Sequence, residues 1–145
     1  MLVTTLLTHW FRRRLLVIEV SGRSMEPTLR RGDLLLCVRG ATPTRRAIVV
    51  WWHPDGSAGA HYLVKRAVGL AGDRRGGADI PEGYLWLEGD ARGESFDSRR
   101  VGPISLTRVH AVAIARLADG RLTDLRLAWE PAREACDETS ITNPS

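Results

Sequence analysis

Leu15-Leu16-Val17-Ile18-Glu19-Val20-Ser21-Gly22-Arg23-Ser24-Met25-Glu26-Pro27-Thr28-Leu29 joins an apolar run to a corner. Leu15 to Val20 reads as a strand, rich in branched side chains. Pro27 has a fixed φ and no N–H, so regular pairing stops there. A hydroxyl held at such a corner can face a cleft, which makes Ser24 a candidate nucleophile. As a lone motif it equally suits an ordinary turn serine.

Outward from this corner the chain repeats one pattern, a short apolar run closed by turn residues. Gly32-Asp33 turns into a second strand, Leu34 to Val38, and Gly40 to Arg46 is loop. Ala47 to Trp52 is a third strand, closed by His53-Pro54-Asp55-Gly56. His61 to Leu70 is a fourth, ending at Gly72-Asp73, with Arg74 to Asp79 a glycine-containing loop. Tyr84 to Glu88 is a fifth, stopping at Gly89-Asp90 before a polar loop from Ala91 to Pro103. Val109 to Leu117 is a last strand or a short helix. Asp119-Gly120 has hairpin-turn chemistry, Leu122 to Cys136 reads as helical, and Thr139 to Ser145 as a disordered end. Short strands with frequent turns predict a mainly β fold, a folded-over antiparallel sheet or partial barrel with a short helical C-terminal extension.

The chain has 145 residues, enough for one domain with a real core. Residues 1–116 carry 18 basic and 11 acidic groups, net +7; residues 117–145 carry 3 and 6, net −3. The basic residues fall as scattered arginine pairs with no interleaved aromatic stripe, which argues against nucleic acid as a partner. Met1 to Phe11 is apolar but ends at Arg12-Arg13-Arg14. A membrane-spanning helix takes about 20 apolar residues, so this stretch reads as an interfacial anchor, a targeting segment or an ordinary N-terminal helix. The organisation is then 1–14 anchor or targeting segment, 15–117 catalytic domain, and 118–145 extension. His9, His53, His61 and His110 lack metal-ligand spacing and read as structural, so no metal and no cofactor is expected. Cys37 reads as a buried strand residue, and Cys136 lies in the polar tail.

One residue stands apart by composition. Of 21 basic residues, 20 are arginine, and the only lysine is Lys65, on the fourth strand. Arginine cannot lose its proton in a protein, whereas a buried lysine can do so near neutral pH. A lone lysine in an arginine-rich chain therefore points to a general base, against the bland reading of chance.

Three ordered segments together resemble the signal peptidase I family, serine proteases that use a Ser–Lys dyad. They are Ser24-Met25-Glu26-Pro27-Thr28-Leu29 with Arg31-Gly32-Asp33; Lys65 to Asp73; and Gly89-Asp90, Ser95-Phe96-Asp97-Ser98-Arg99 and Gly102-Pro103. The third is most like the mitochondrial inner-membrane branch of that family. The resemblance covers about residues 17–116 and implies Ser24 as nucleophile and Lys65 as general base. It further implies that Ser95 orients the lysine amine and that Asp97 and Arg99 form a supporting ion pair. Gly22 and Asp90 are expected to support the site, and Met25 and Pro27 to contact substrate. Gly22 departs from many bacterial relatives, which have there a serine that helps bind the oxyanion. Arg46-Ala47 stands where relatives often have Gly-Asp, and Ala91 where they often have Asn.

The implied activity is endoproteolytic removal of N-terminal signal or targeting peptides from precursor proteins at a membrane surface, with a second protease subunit as partner. The implied location is the mitochondrial inner membrane in a eukaryote, otherwise the bacterial cell membrane. A soluble maturation protease for one dedicated precursor and a non-catalytic subunit of a processing complex are the competing readings. A self-cleaving repressor would need a DNA-binding domain upstream, and only 23 residues precede Ser24.

Overall fold

The computed structural model describes residues 14–54, 62–93 and 95–126. Each apolar run becomes a strand: β1 (Leu15–Glu19), β2 (Leu34–Arg39), β3 (Ile48–Trp52) and β4 (Tyr62–Gly69). There follow β5 (Arg74–Arg75), β6 (Ala78–Asp79), β7 (Tyr84–Glu88), β8 (Ile104–Ser105), β9 (Val109–Ala118) and β10 (Arg121–Asp124). A one-turn helix, α1 (Ser98–Val101), and a 3₁₀ turn, Leu106–Arg108, precede β9. The main sheet runs β1-β2-β9-β3-β4-β7-β8, antiparallel at every pairing, and curls into a half-barrel.

β9 is the hub. Its one edge takes all of β2; its other edge takes β3 up to Ala113 and then β10 from Ala115 to Ala118. Register shifts at Leu36/Cys37, Val50/Trp51 and Ala67/Gly69 bend these strands, as an extra residue on one side of a ladder does.

The apolar run Ile48-Val49-Val50-Trp51 is buried without a break because β3 is covered on both faces. On one face Ile48 and Val50 meet Leu35, Cys37, Ala111 and Ala113, roofed by Val20, Met25 and Leu29 of the corner. On the other, Val49 and Trp51 pack with Ala67, Leu85, Leu87 and Ile104. Met25 and Leu29 are 1% and 0% exposed, and burial of each stabilises the fold by roughly 1.5–3 kcal/mol. The corner is thus anchored in the core on both sides of Pro27. The Asp33 carboxylate ties its far end to β9, accepting from Arg30 N–H and from Arg116 Nε at 2.7 Å each.

Three expectations change, and the strand reading of Val109 to Leu117 holds over its helical alternative. Arg74 to Asp79 is a small hairpin, because Gly76 and Gly77, both at positive φ, suit the tight turn that matches strand twist. The loop from Ala91 to Pro103 contains α1, capped by the Asp97 side chain. Leu122 to Asp124 belongs to a strand, not a helix: Asp119 (φ 51) and Gly120 (φ 72) fold the chain back so that Leu122 stands opposite Leu117. The N-terminal anchor segment, His9, His61, the Asp55-Gly56 turn and the tail from Leu127 through Cys136 to Ser145 lie outside the described residues. Among the described residues no helix is long and apolar enough to cross a membrane.

Candidate active site

The corner after β1 is held by its own backbone, Glu26 N–H donating to Arg23 O and Leu29 N–H to Met25 O. The Glu26–Pro27 peptide is cis. Ser24 sits half-buried on this turn, and its carbonyl accepts from Ala91 N–H at 3.0 Å. Antiparallel register sets Lys65 of β4 directly opposite Val49, on the face of the second core cluster. The lysine is 2% exposed, and its Nζ lies 2.5 Å from Ser24 Oγ, the ammonium donating. Burial is the largest influence on that amine and pulls its pKa down; the Asp97 and Asp90 carboxylates oppose this and Arg99 adds to it, leaving about 8. Two residues 41 apart in sequence are therefore joined as a hydroxyl and an amine that can lose its proton near neutral pH.

A second layer fixes the layout. Asp97 is fully buried, and its carboxylate takes a fork from Arg99, Nη2 to Oδ2 at 2.6 Å and Nε to Oδ1 at 3.0 Å. It also accepts from Gly89 N–H at 2.9 Å. Burial alone would raise its pKa, but the Arg99 and Gly89 donors outweigh burial and hold it at about 2. Next to it, the buried Ser98 hydroxyl accepts from Leu87 N–H at 2.8 Å, which pins α1 to β7. Gly89 is wedged into the centre: a Cβ there would stand 2.5 Å from Ser24 O and 2.6 Å from Ser95 Oγ. Gly89 is thus close to both Ser24 and Ser95.

The expected bond from Ser95 to the lysine amine is not formed. The Ser95 hydroxyl is buried and meets no partner at hydrogen-bond geometry, although it lies near enough to Asp97 to favour the charged carboxylate. Met25 faces the first core cluster, whereas Pro27 is exposed. Gly22 is exposed, and a Cβ added there would meet nothing within 4 Å. Arg46 makes its turn in the left-handed region, adopting φ 74 while its N–H donates to Ala67 O.

One network goes beyond the sequence expectations, which name Asp90 as a support but neither of its partners. Asp90 receives a fork from Arg66, Nε to Oδ1 at 2.8 Å and Nη2 to Oδ2 at 2.6 Å, and a hydrogen bond from Thr28 Oγ1 at 2.6 Å. Corner, β4 and the end of β7 are clamped together one residue away from Lys65. Thr28 and Arg66 both stand inside the motifs that carry the family resemblance, so the available signal was adjacency to Ser24 and Lys65. His53 also has a place here: its buried ring lies edge-on to Phe96, the residue between Ser95 and Asp97, with centroids 4.7 Å apart. Among the described residues no group of three metal-ligating side chains assembles.

Comparison with known proteins agrees with this geometry. The family described as signal peptidase, peptidase S26, matches residues 1–75 and 74–118. The chain is 32% identical over 141 residues to mitochondrial inner membrane protease subunit 2 of Danio rerio, covering 86% of this chain and 70% of that protein. Subunit 2 of Mus musculus is 34% identical over 113 residues, covering 67% of this chain and 63% of its own length. Subunit 1 of Xenopus tropicalis is 35% identical over 102 residues, covering 61% and 60%. The alignments leave roughly a third of each relative unmatched.

Proposed function

This chain belongs to the signal peptidase family, peptidase S26, and on that premise we propose that it is a serine endopeptidase that removes N-terminal signal or targeting peptides from precursor proteins at a membrane surface. Ser24 is the nucleophile and Lys65 the general base. The observation that carries this is the 2.5 Å approach of a 2% exposed lysine to a half-buried serine hydroxyl.

The neutral Lys65 amine takes the Ser24 proton as Oγ attacks the scissile carbonyl carbon, and the oxyanion is met by backbone donors at the corner. The resulting ammonium gives its proton to the departing amine, leaving an ester on Ser24. Lys65, neutral again, removes a proton from water as it attacks the ester carbon, and the ammonium then returns that proton to Ser24 Oγ as the C–Oγ bond breaks and the acid leaves. Asp97, held by Arg99, keeps Gly89 in place through the Gly89 N–H, and the buried Ser95 hydroxyl packs close to that glycine. Among the described residues Tyr62 to Lys65 pair with β3 on one edge only, since β7 joins β4 from Arg66 onward. An extended peptide adding to the opposite edge runs its backbone up to Lys65.

Residues 15–117 form the catalytic unit in this reading, and β10 of the following extension pairs along its last strand, β9. The location and the second subunit printed in the relatives' names, the mitochondrial inner membrane and a paired protease subunit, are part of the same proposal. The test is cleavage of a panel of precursor peptides by wild type and Ser24→Ala, with and without lipid vesicles. Cleavage after small uncharged residues, abolished in Ser24→Ala and enhanced by vesicles, is expected. Equal cleavage without lipid would favour a soluble maturation protease, and activity surviving in Ser24→Ala would refute the dyad.

A further inference from the structure

His53 reads in the sequence as a structural histidine, and its surroundings give that reading a function. It immediately follows β3, two positions after the fully buried Trp51, so along an extended chain both rings project to the same face. The rings of Trp51 and His53 meet edge-on, with centroids 5.4 Å apart and planes at 84°. Those of His53 and Phe96 do the same at 4.7 Å and 86°. Both pairs have the T-shaped geometry that aromatic rings favour. A row of three rings thus runs from the second core cluster to the segment before α1, and His53, 6% exposed, is its middle member.

Of the three polar residues in Ser95-Phe96-Asp97-Ser98, two are fixed by hydrogen bonds. Asp97 is held by Arg99 and the Gly89 N–H, and Ser98 by the Leu87 N–H. The buried Ser95 hydroxyl meets no partner at hydrogen-bond geometry, yet it stands close to Gly89, as the Ser24 carbonyl does. Beside Ser95 in the chain, the Phe96 ring rests on His53. We propose that His53 is a positioning residue of the site: its ring, set against Phe96, holds Ser95 against Gly89 and so keeps the Ser24 turn at Lys65. The proposal rests on the peptidase reading above and adds to it a residue that acts only through its neighbours. Without that ring Phe96 shifts, Ser95 and Gly89 loosen with it, and the displacement reaches the nucleophile through the Gly89–Ser24 contact.

The test measures kcat and KM on one cleaved precursor peptide for the intact protein and its His53→Ala, Phe96→Ala and double variants. Melting curves give the folded fraction, and kcat is taken per folded molecule, so lost stability alone leaves it unchanged. His53→Ala is expected to lower kcat roughly 10- to 10²-fold with KM unchanged, the scale of a misplacement of up to about 1 Å. The double variant should be no slower than the slower single variant, because both single changes remove one contact. His53→Phe, which keeps a ring in place, should return kcat towards wild type. If His53→Ala does not fold, His53→Leu takes its place, filling the space without a ring. A wild-type kcat in that variant, losses that multiply in the double variant, or no recovery in His53→Phe overturns the positioning role and leaves the peptidase reading intact. Failure of wild type to cleave any peptide overturns both.

Discussion

Lys65 is where the composition of the chain and the geometry of the site meet. A guanidinium at that position would stay charged, and the proposed chemistry needs a base whose proton leaves near neutral pH. Lys65→Arg is therefore expected to lower kcat/KM on the order of 10²–10⁴-fold, the usual worth of a general base, while circular dichroism remains native. The same residue sets the pH profile. With the amine pKa drawn down to about 8, activity should fall as pH drops below 8, because the protonated form cannot accept the Ser24 proton. A kcat/KM that is flat from pH 6 to 9 would remove Lys65 from the base role. Ser24, Lys65, Asp97 and Arg99 are legible in the sequence because each lies in a local motif. The Thr28–Asp90–Arg66 clamp is not, because its partners are up to 62 residues apart and meet only through strand register.

At the level of elements, the site is a junction: the corner after β1, the middle of β4, the end of β7 and the start of α1. Gly89 is the point where three of these touch, and its neighbours leave no room for a side chain. A Cβ 2.5 Å from the Ser24 carbonyl meets backbone, which cannot swing aside as a side-chain tip can. Gly89→Ala should push the Ser24 turn away from Lys65 and reduce kcat on the order of 10²-fold, the scale of a misplacement of about 1 Å. Steady-state kinetics beside a melting curve checks this: unchanged kcat would mean that the junction is looser than its contacts indicate. The strands themselves are readable from apolar runs closed by Gly-Asp or Gly-rich turns. The shorter elements are not, for a physical reason. β8 has two residues and α1 one turn, so their stability comes from tertiary bonds such as Ser98 Oγ to Leu87 N–H and not from any periodicity in sequence. β10 reads as helix in the sequence because Leu122 to Leu125 is too short to distinguish the two periods; the Asp119-Gly120 turn, correctly expected, is the stronger signal.

For the whole molecule, the buried base is a cost that the rest of the fold offsets. Lys65 has a folded-state pKa of about 8 against about 10.4 when unfolded. Between those values the unfolded chain binds more protons, so stability rises with pH through that window and is penalised in full below it. The shift corresponds to about 3 kcal/mol. Lys65→Met, similar in shape and without charge, should therefore be more stable than wild type at pH 7, by on the order of 10 °C in Tm. The advantage should shrink as pH approaches 10.5. No second lysine exists to titrate within this window. Burial raises the Cys37 thiol from 9.0 to about 11, so its contribution is lost as pH rises from 9 to 11, with the opposite sign to Lys65; it is common to both proteins and cancels in their difference, as does that of the Asp97 carboxyl, held at about 2 and lost only as pH falls towards 2. Thermal melts of both proteins across pH 6–10.5 measure the difference directly. A gap that stays constant with pH would mean that the ammonium is solvated in the folded state, and the same result would remove the reason for Lys65 to act as a base near neutral pH.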